Sequence, residues 1–157
     1  ARSIADTVRT TGVNPTQVKL EITESAFVDD PQAAMRWIDE CKKLGLSIAL
    51  DDFGTGFSSL GYLHQFQVDV LKIDRCFINA MGENERAAQV VRAVAGLAQG
   101  LNLVVVAEGI EESHQIQALA DLECELGQGY LFSKPLDLAS MCDLLRSGPD
   151  WQYESKE

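Results

Sequence analysis

An α/β fold built on a parallel sheet is what this sequence predicts, and three observations carry it. Strand-like and helix-like segments alternate along nearly all 157 residues. The strand-like segments are short apolar runs, as parallel strands flanked by helices require. Helix start and stop residues punctuate the joins.

The elements follow in order. Residues 2–11 read as the end of a helix that Gly12 can stop. Val18 to Thr23 alternates as a strand. Asp30-Pro31 opens a helix that runs to about Leu44, with Pro31 at the first helical position and Gly45 after the end. Leu46 to Asp52 is the second strand, and Ser58 to Gln65 a short helix. Val68 to Asp74 is the third strand, and residues 84–100 carry a long Ala/Val/Leu helix. Leu101 to Ala107 is so continuously apolar that burial on both faces is expected. Residues 112–122 are helical, Leu126 to Leu131 form a fifth strand, and 137–146 the last helix. Five strand-helix units in a row fit a doubly wound sheet and a closed barrel alike. No Gly-x-Gly-x-x-Gly follows the first strand, so a Rossmann dinucleotide site lacks its fingerprint.

The length suits one domain with a sizeable core. A net charge of −11, from 24 acids against 13 bases, argues against binding a DNA or RNA polymer, which needs a basic footprint. It leaves open a nucleotide held through metal ions. No apolar run approaches the length of a membrane span, so no direct membrane contact is expected. The start does not read as a signal peptide. Cys41, Cys76, Cys124 and Cys142 are scattered without Cys-x-x-Cys spacing, which fits reduced thiols in the cytoplasm. The chain opens on Ala1, which suggests a processed chain or a piece of a longer protein.

In parallel α/β folds function collects at the carboxyl ends of the strands. Those positions hold Glu21 and Glu24, Asp51 and Asp52, Lys72 and Asp74, Glu108 and Glu111, and Gln128. The spacings from Glu21 through Asp51, Lys72, Glu108 and Gln128 are 30, 21, 36 and 20 residues, as successive βα units require. All can therefore converge on one mouth. Two adjacent carboxylates such as Asp51 and Asp52 repel by roughly 4 kcal/mol at about 4 Å and an effective dielectric of about 20. Solvation, a shared proton or a cation would relieve that. A cluster of carboxylates with one lysine and one amide suits hard divalent cations. The lack of a histidine cluster disfavours zinc; His64 and His114 each sit on presumed helices.

Five ordered motifs then resemble one family. They are Leu20-Glu21-Ile22-Thr23-Glu24-Ser25, Asp51-Asp52-Phe53-Gly54-Thr55-Gly56-Phe57-Ser58-Ser59-Leu60, Leu71-Lys72-Ile73-Asp74-Arg75, Ala107-Glu108-Gly109-Ile110-Glu111, and the stretch from Gln128 to Leu136. The chain resembles the EAL domains, the cyclic-di-GMP phosphodiesterases of bacterial signalling. The resemblance implies a TIM-like (βα) barrel with one antiparallel strand, of which this chain supplies five strand-helix units of a nominal eight. Residues 1–147 would be the C-terminal portion of that domain and 148–157 a tail. It implies two Mg²⁺ or Mn²⁺ ions and hydrolysis of cyclic di-GMP to linear pGpG.

By the same resemblance Glu21, Asp51, Asp52 and Glu108 look like metal ligands. Lys72, Glu108, Gln128 and Asp52 look like the catalytic set, with Lys72 near the attacking water. Glu24 matches the glutamate that anchors the Asp-Phe-Gly-Thr-Gly loop, which the family links to metal binding and dimerisation. Glu111 and Asp74 look like supporting acids. Residues that would bind the substrate's bases are not legible. Glu123 stands where the family usually has glycine. The Glu-Ala-Leu signature itself, and the strand bearing the family's metal-binding asparagine, do not occur here. A homodimer and an upstream sensor or GGDEF domain, even a membrane-anchored parent, are further implications. Two rivals remain: a degenerate EAL domain that binds cyclic di-GMP or a protein without hydrolysis, and an unrelated metal-dependent barrel enzyme.

Overall fold

The structure, a computed structural model, describes residues 2–26, 30–54 and 65–148. The helix expected over 58–65, with His64, and the tail beyond Gly148 lie outside the described residues. Five strands form one sheet in chain order: β1 (Lys19–Thr23), β2 (Ser47–Phe53), β3 (Val70–Ile73), β4 (Val104–Glu108) and β5 (Leu126–Gln128). Every neighbouring pair is parallel. The antiparallel strand implied by the family is not among them. Helix α1 (Arg2–Thr11) precedes β1, and α2 (Pro31–Lys43) joins β1 to β2. Between β3 and β4 run α3 (Arg75–Ala80) and α4 (Glu85–Gly100). Helix α5 (Ser113–Ala120) joins β4 to β5, and α6 (Leu138–Ser147) closes the described chain.

Register sorts the side chains into two faces, because registered neighbours in a sheet share a face. Ile22, Leu50, Leu71 and Val105 stand in one row. With Ile48, Ile73 and Ala107 they join Ile38 and Cys41 of α2 and Val91 and Ala98 of α4 in the core. The other face carries Glu21, Ala49, Val70, Lys72 and Val106. It is buried at Ala49, Val70 and Lys72 but opens toward β5, where Val104 is 39% and Leu126 48% exposed. The expected burial of β4 on both faces therefore holds on one only, because its neighbour β5 is short, exposed and without a further strand partner among the described residues.

Three elements differ from expectation for local reasons. β5, expected to reach Leu131, stops at Gln128, where the Phe132 N–H turns back to the Gly129 carbonyl at 3.1 Å. The run from Leu101 does not start the strand. Asn102 adopts a left-handed φ of 56°, and the Leu103 N–H donates to the Ala98 carbonyl at 2.9 Å, so these residues terminate α4. Helix α3 was not visible in the pattern. It is under two turns long, and Asp74 starts it by accepting from the Cys76 N–H at 2.9 Å. Glu123 also acquires a meaning. Its φ is 58°, and the next N–H, of Cys124, donates to Leu119 O at 3.0 Å as α5 ends. That is a left-handed helix-terminating position, which glycine fills without strain.

At the opposite end of the sheet from the strand carboxyl ends, Asp69 ties three strands together. Its carboxylate accepts from Lys42 Nζ, the Ile48 N–H at 2.8 Å and the Ser47 hydroxyl at 3.3 Å. Its backbone bonds Ile48 O and the Val104 N–H. Burial alone would raise its pKa, but the Lys42 and Ile48 hydrogen bonds outweigh it and hold the carboxyl below its usual range. A lowered folded pKa adds stability above the ordinary aspartate value, lost as pH falls through the folded one. Asp69→Ala strands the buried Ile48 N–H and should cost about 1–3 kcal/mol at pH 7. The gap between denaturant melts of the two proteins should be constant above the ordinary aspartate value of about 3.9 and narrow as pH falls below it and through the folded one. A gap that does not narrow down to about pH 2 would refute the assignment.

Candidate metal centre at the strand ends

The polar strand ends converge on Lys72. This lysine lies on the central strand and is only 6% exposed. A buried ammonium is costly unless paired, and it is paired three times. Its Nζ lies 2.9 Å from Glu21 Oε1, 2.9 Å from Asp51 Oδ1 and 2.7 Å from Glu108 Oε1. One acid comes from each of β1, β2 and β4. Burial works against the charge on Lys72, but the hydrogen bonds to Glu108, Glu21 and Asp51 prevail and raise its pKa above the usual lysine range.

Asp51 and Asp52 pose a geometric problem, since adjacent strand residues point to opposite faces. The sheet solves it with a bulge. Leu50 pairs with Leu71 but Phe53 with Ile73, so Asp51 and Asp52 together oppose Lys72 alone. Asp52 takes the left-handed φ of 54°, which aspartate tolerates better than most side chains. The bulge re-aims a carboxylate, as bulges beside functional sites do. Asp51, Asp52 and Glu108 each offer an oxygen within 4.8 Å of the others. Glu21 stands outside that trio and joins it through Lys72.

The negative charge in the trio is only partly compensated. Burial, then Asp51 and Asp74, push the Asp52 carboxyl up. Burial raises Glu108 too, though Lys72 works against it. Crowded hard oxygen donors of this kind fit a divalent cation.

The remaining expected residues fall around this centre. Glu24 is buried; its Oε2 accepts from the Gly54 N–H at 3.3 Å, and its Oε1 has no hydrogen-bond partner among the described residues. Gln128 ends β5 in register with Glu108, and its carbonyl accepts from the Ile110 N–H at 3.1 Å. Asp74 caps α3. Glu111 is exposed, and its backbone N–H is held by Gln115. His114 lies exposed on α5, with Nδ1 3.1 Å from Glu112 Oε2.

The family profile described as EAL domain matches residues 1–135. The chain belongs to the EAL domain family. Among curated relatives, the cyclic di-GMP phosphodiesterase NbdA of Pseudomonas aeruginosa is 42% identical over 130 residues, 83% of this chain. The match spans 17% of NbdA, so this EAL segment is a small part of that relative. The solved EAL domain of Mycobacterium smegmatis DcpA superposes with a TM-score of 0.87 at 38% identity, covering 94% of this chain and 66% of that one. Klebsiella pneumoniae BlrP1, solved as a manganese and cyclic-di-GMP complex, gives a TM-score of 0.79 at 30% identity over 85% of this chain and 34% of that one.

Two glycines shape the EAL motifs by allowing close approach. A Cβ on Gly129 would lie 2.0 Å from Ile110 O, and one on Gly109, where φ is 71°, 2.3 Å from Arg75 Cβ. Both distances are impossible for a side chain, so the loop after β4 is wedged between β5 and α3. One polar residue bonded to this loop escaped sequence reasoning: Gln115 in the first turn of α5, 4% exposed. Its only sequence signal was the Glu112-x-x-Gln115 capping-box spacing at the start of α5. Among the described residues, no helix is long and apolar enough to cross a membrane.

Proposed function

We propose that the protein carrying this EAL domain hydrolyses cyclic di-GMP to pGpG with divalent metal ions. The observation that carries the reading is the convergence of Glu21, Asp51 and Glu108 on Lys72 at the strand ends, with Asp52 beside Asp51 and Glu108. NbdA's name and BlrP1's bound nucleotide point to the same substrate. Asp51, Asp52 and Glu108, with Glu21 beside them, would hold Mg²⁺ or Mn²⁺, two ions in the complete site. Bound there, the ions supply positive charge to the phosphate oxygens and acidity to water. BlrP1 was solved with manganese and with calcium.

The chain's own residues then have distinct tasks. Water's oxygen attacks one phosphorus, the P–O3′ bond breaks, and water's proton ends on the 3′ oxygen, leaving a 5′-phosphate. Lys72, fixed by three acids, presents charge where the phosphate becomes more negative. Gln128, level with Glu108, orients the water. Glu24 holds the Gly54 turn and so the Asp51-Asp52 bulge behind it. Asp74 and Glu111 support the neighbouring loops.

We infer that residues 1–147 form the C-terminal portion of the EAL domain, with 148–157 as a tail. The relatives' much greater length supports an upstream sensor or GGDEF domain, and the family resemblance supports a homodimer. A nucleotide messenger as substrate and four free thiols favour the cytoplasm.

Asp51→Asn keeps the side chain's size and removes one ligand charge. Losing a mere outer-shell partner weakens a metal about 10–100-fold, so this change should weaken Mn²⁺ by at least about a hundredfold. Calorimetry decides, and unchanged affinity would overturn the ligand set. Product chromatography decides the reaction. Tight cyclic di-GMP binding with no pGpG at any metal concentration would leave a receptor instead.

A further inference from the structure

We propose that Gln115 is a positioning residue that holds Glu108 against Lys72 by clamping the β4–α5 loop to α3. Its Oε1 accepts from the Glu111 N–H at 2.8 Å and the Glu112 N–H at 3.0 Å. Its Nε2 donates to Ile78 O on α3 at 3.2 Å. The bond from the Glu112 N–H belongs to an ordinary capping box, and the one from the Glu111 N–H extends it by one residue. The third does not, because it leaves helix α5 for another element.

That element matters. Helix α3 starts at Asp74, two residues after Lys72, and Ile78 is fully buried in it. The loop that Gln115 grips starts at Glu108. Gly109 lies against Arg75 at one end of the loop, and Gln115 reaches Ile78 at the other. On the far side, Ile110 exchanges backbone bonds with Gln128 and Leu131. Gln115 thus fixes the distance between the strand end bearing Lys72 and the one bearing Glu108, which meet at 2.7 Å. Buried amides whose oxygen and nitrogen are both bonded hold such geometry firmly.

Only glutamine serves both duties. A glutamate at 115 accepts the two N–H bonds and suits a helix N-terminus. It cannot donate to Ile78 O and sets a carboxylate oxygen against that carbonyl. A cap alone therefore tolerates Gln115→Glu, and a clamp does not.

The test compares the chain with its Gln115→Glu variant by thermal melting, hydrogen exchange of the 108–112 segment and Mn²⁺ calorimetry. The metal arm rests on the proposed metal site; the exchange arm does not. The clamp predicts exchange at the Ile110 amide at least about tenfold faster, and Mn²⁺ held about tenfold more weakly, while most of the melting temperature is retained. If Gln115→Glu does not fold, Gln115→Met, of similar length, is compared with Glu112→Ala, which breaks the capping box alone; the clamp predicts faster Ile110 exchange in Gln115→Met, and equal exchange in the two leaves a cap. Wild-type exchange at Ile110 in the folded variant overturns the clamp and leaves a cap. If the wild type binds no Mn²⁺, the metal reading fails, and faster or unchanged Ile110 exchange still decides the clamp.

Discussion

Lys72→Ala lowers kcat for cyclic di-GMP by about 10²–10³ and leaves KM within a few-fold, in an EAL domain competent for hydrolysis. The magnitude is that of removing one preorganised donor from a developing anion, and the kcat-only pattern marks an interaction made in the transition state. The change also acts on the fold. Glu21, Asp51 and Glu108 lose their shared cation, and the half-exposed Glu21 (51%) softens the penalty to the low end of about 3–5 kcal/mol. The sign with pH is definite. A lysine whose pKa is raised on folding stabilises fully below its unfolded value, which lies near 10.5, and the contribution fades only above it. Asp52 and Glu108 have raised pKa values and bind protons more tightly when folded. Removing the ammonium strengthens that preference. The variant's deficit should therefore shrink from pH 8 to pH 5, and added Mn²⁺ should restore part of it. Steady-state kinetics and melts across pH check both halves. A raised KM at unchanged kcat would reassign Lys72 to ground-state binding.

The 157-residue chain, purified alone, associates with itself and hydrolyses little or no cyclic di-GMP. The outer edges of β1 and β5 have no strand partner among the described residues. They are not equally adhesive. β1 presents Lys19 and Glu21, and charge on an edge discourages pairing. β5 is Leu126-Gly127-Gln128, uncharged, with Leu126 half exposed. Beside it Val104 is exposed, and α6 carries Leu138, Met141 and Leu145 at helical spacing, 81%, 39% and 68% exposed. Each of these is exposed apolar surface of the kind that contacts bury. The charge of −11 opposes association, so salt should promote it by screening. Light scattering should report more than one chain, increasingly so between low and physiological salt. Leu126→Lys should move the population toward monomer. A monomer at every ionic strength, with full turnover, would refute the open-edge account.

The helices and strands were legible where a single local force decided them. Asp30-Pro31 and Gly45 bounded α2 by capping chemistry, and the apolar runs at 46–50 and 68–73 declared buried strands. Short elements were not legible, since α3 has too few turns to show a period. The strand expected from Leu101 was shortened by a helix end that borrows its first residues. The candidate site was legible as a list of strand-end residues, because βα spacing alone brings Glu21, Asp51, Lys72 and Glu108 to one mouth.

The sequence by itself determined the order of the units, the parallel sheet and the family, since these depend on local propensity and on motifs that survive in linear form. Only the tertiary structure decided which acids meet. It placed Lys72 between Glu21, Asp51 and Glu108, and left Glu21 outside the trio of close carboxylates. It put Asp52 beside Asp51 through a bulge, where strand alternation would have turned it away. It gave the exposed Glu123 its left-handed helix end and Gln115 its reach to Ile78. These facts depend on register, on one extra residue in β2 and on the approach of elements 37 residues apart in the chain. No local pattern encodes such distances, because they are set when the helices and strands pack.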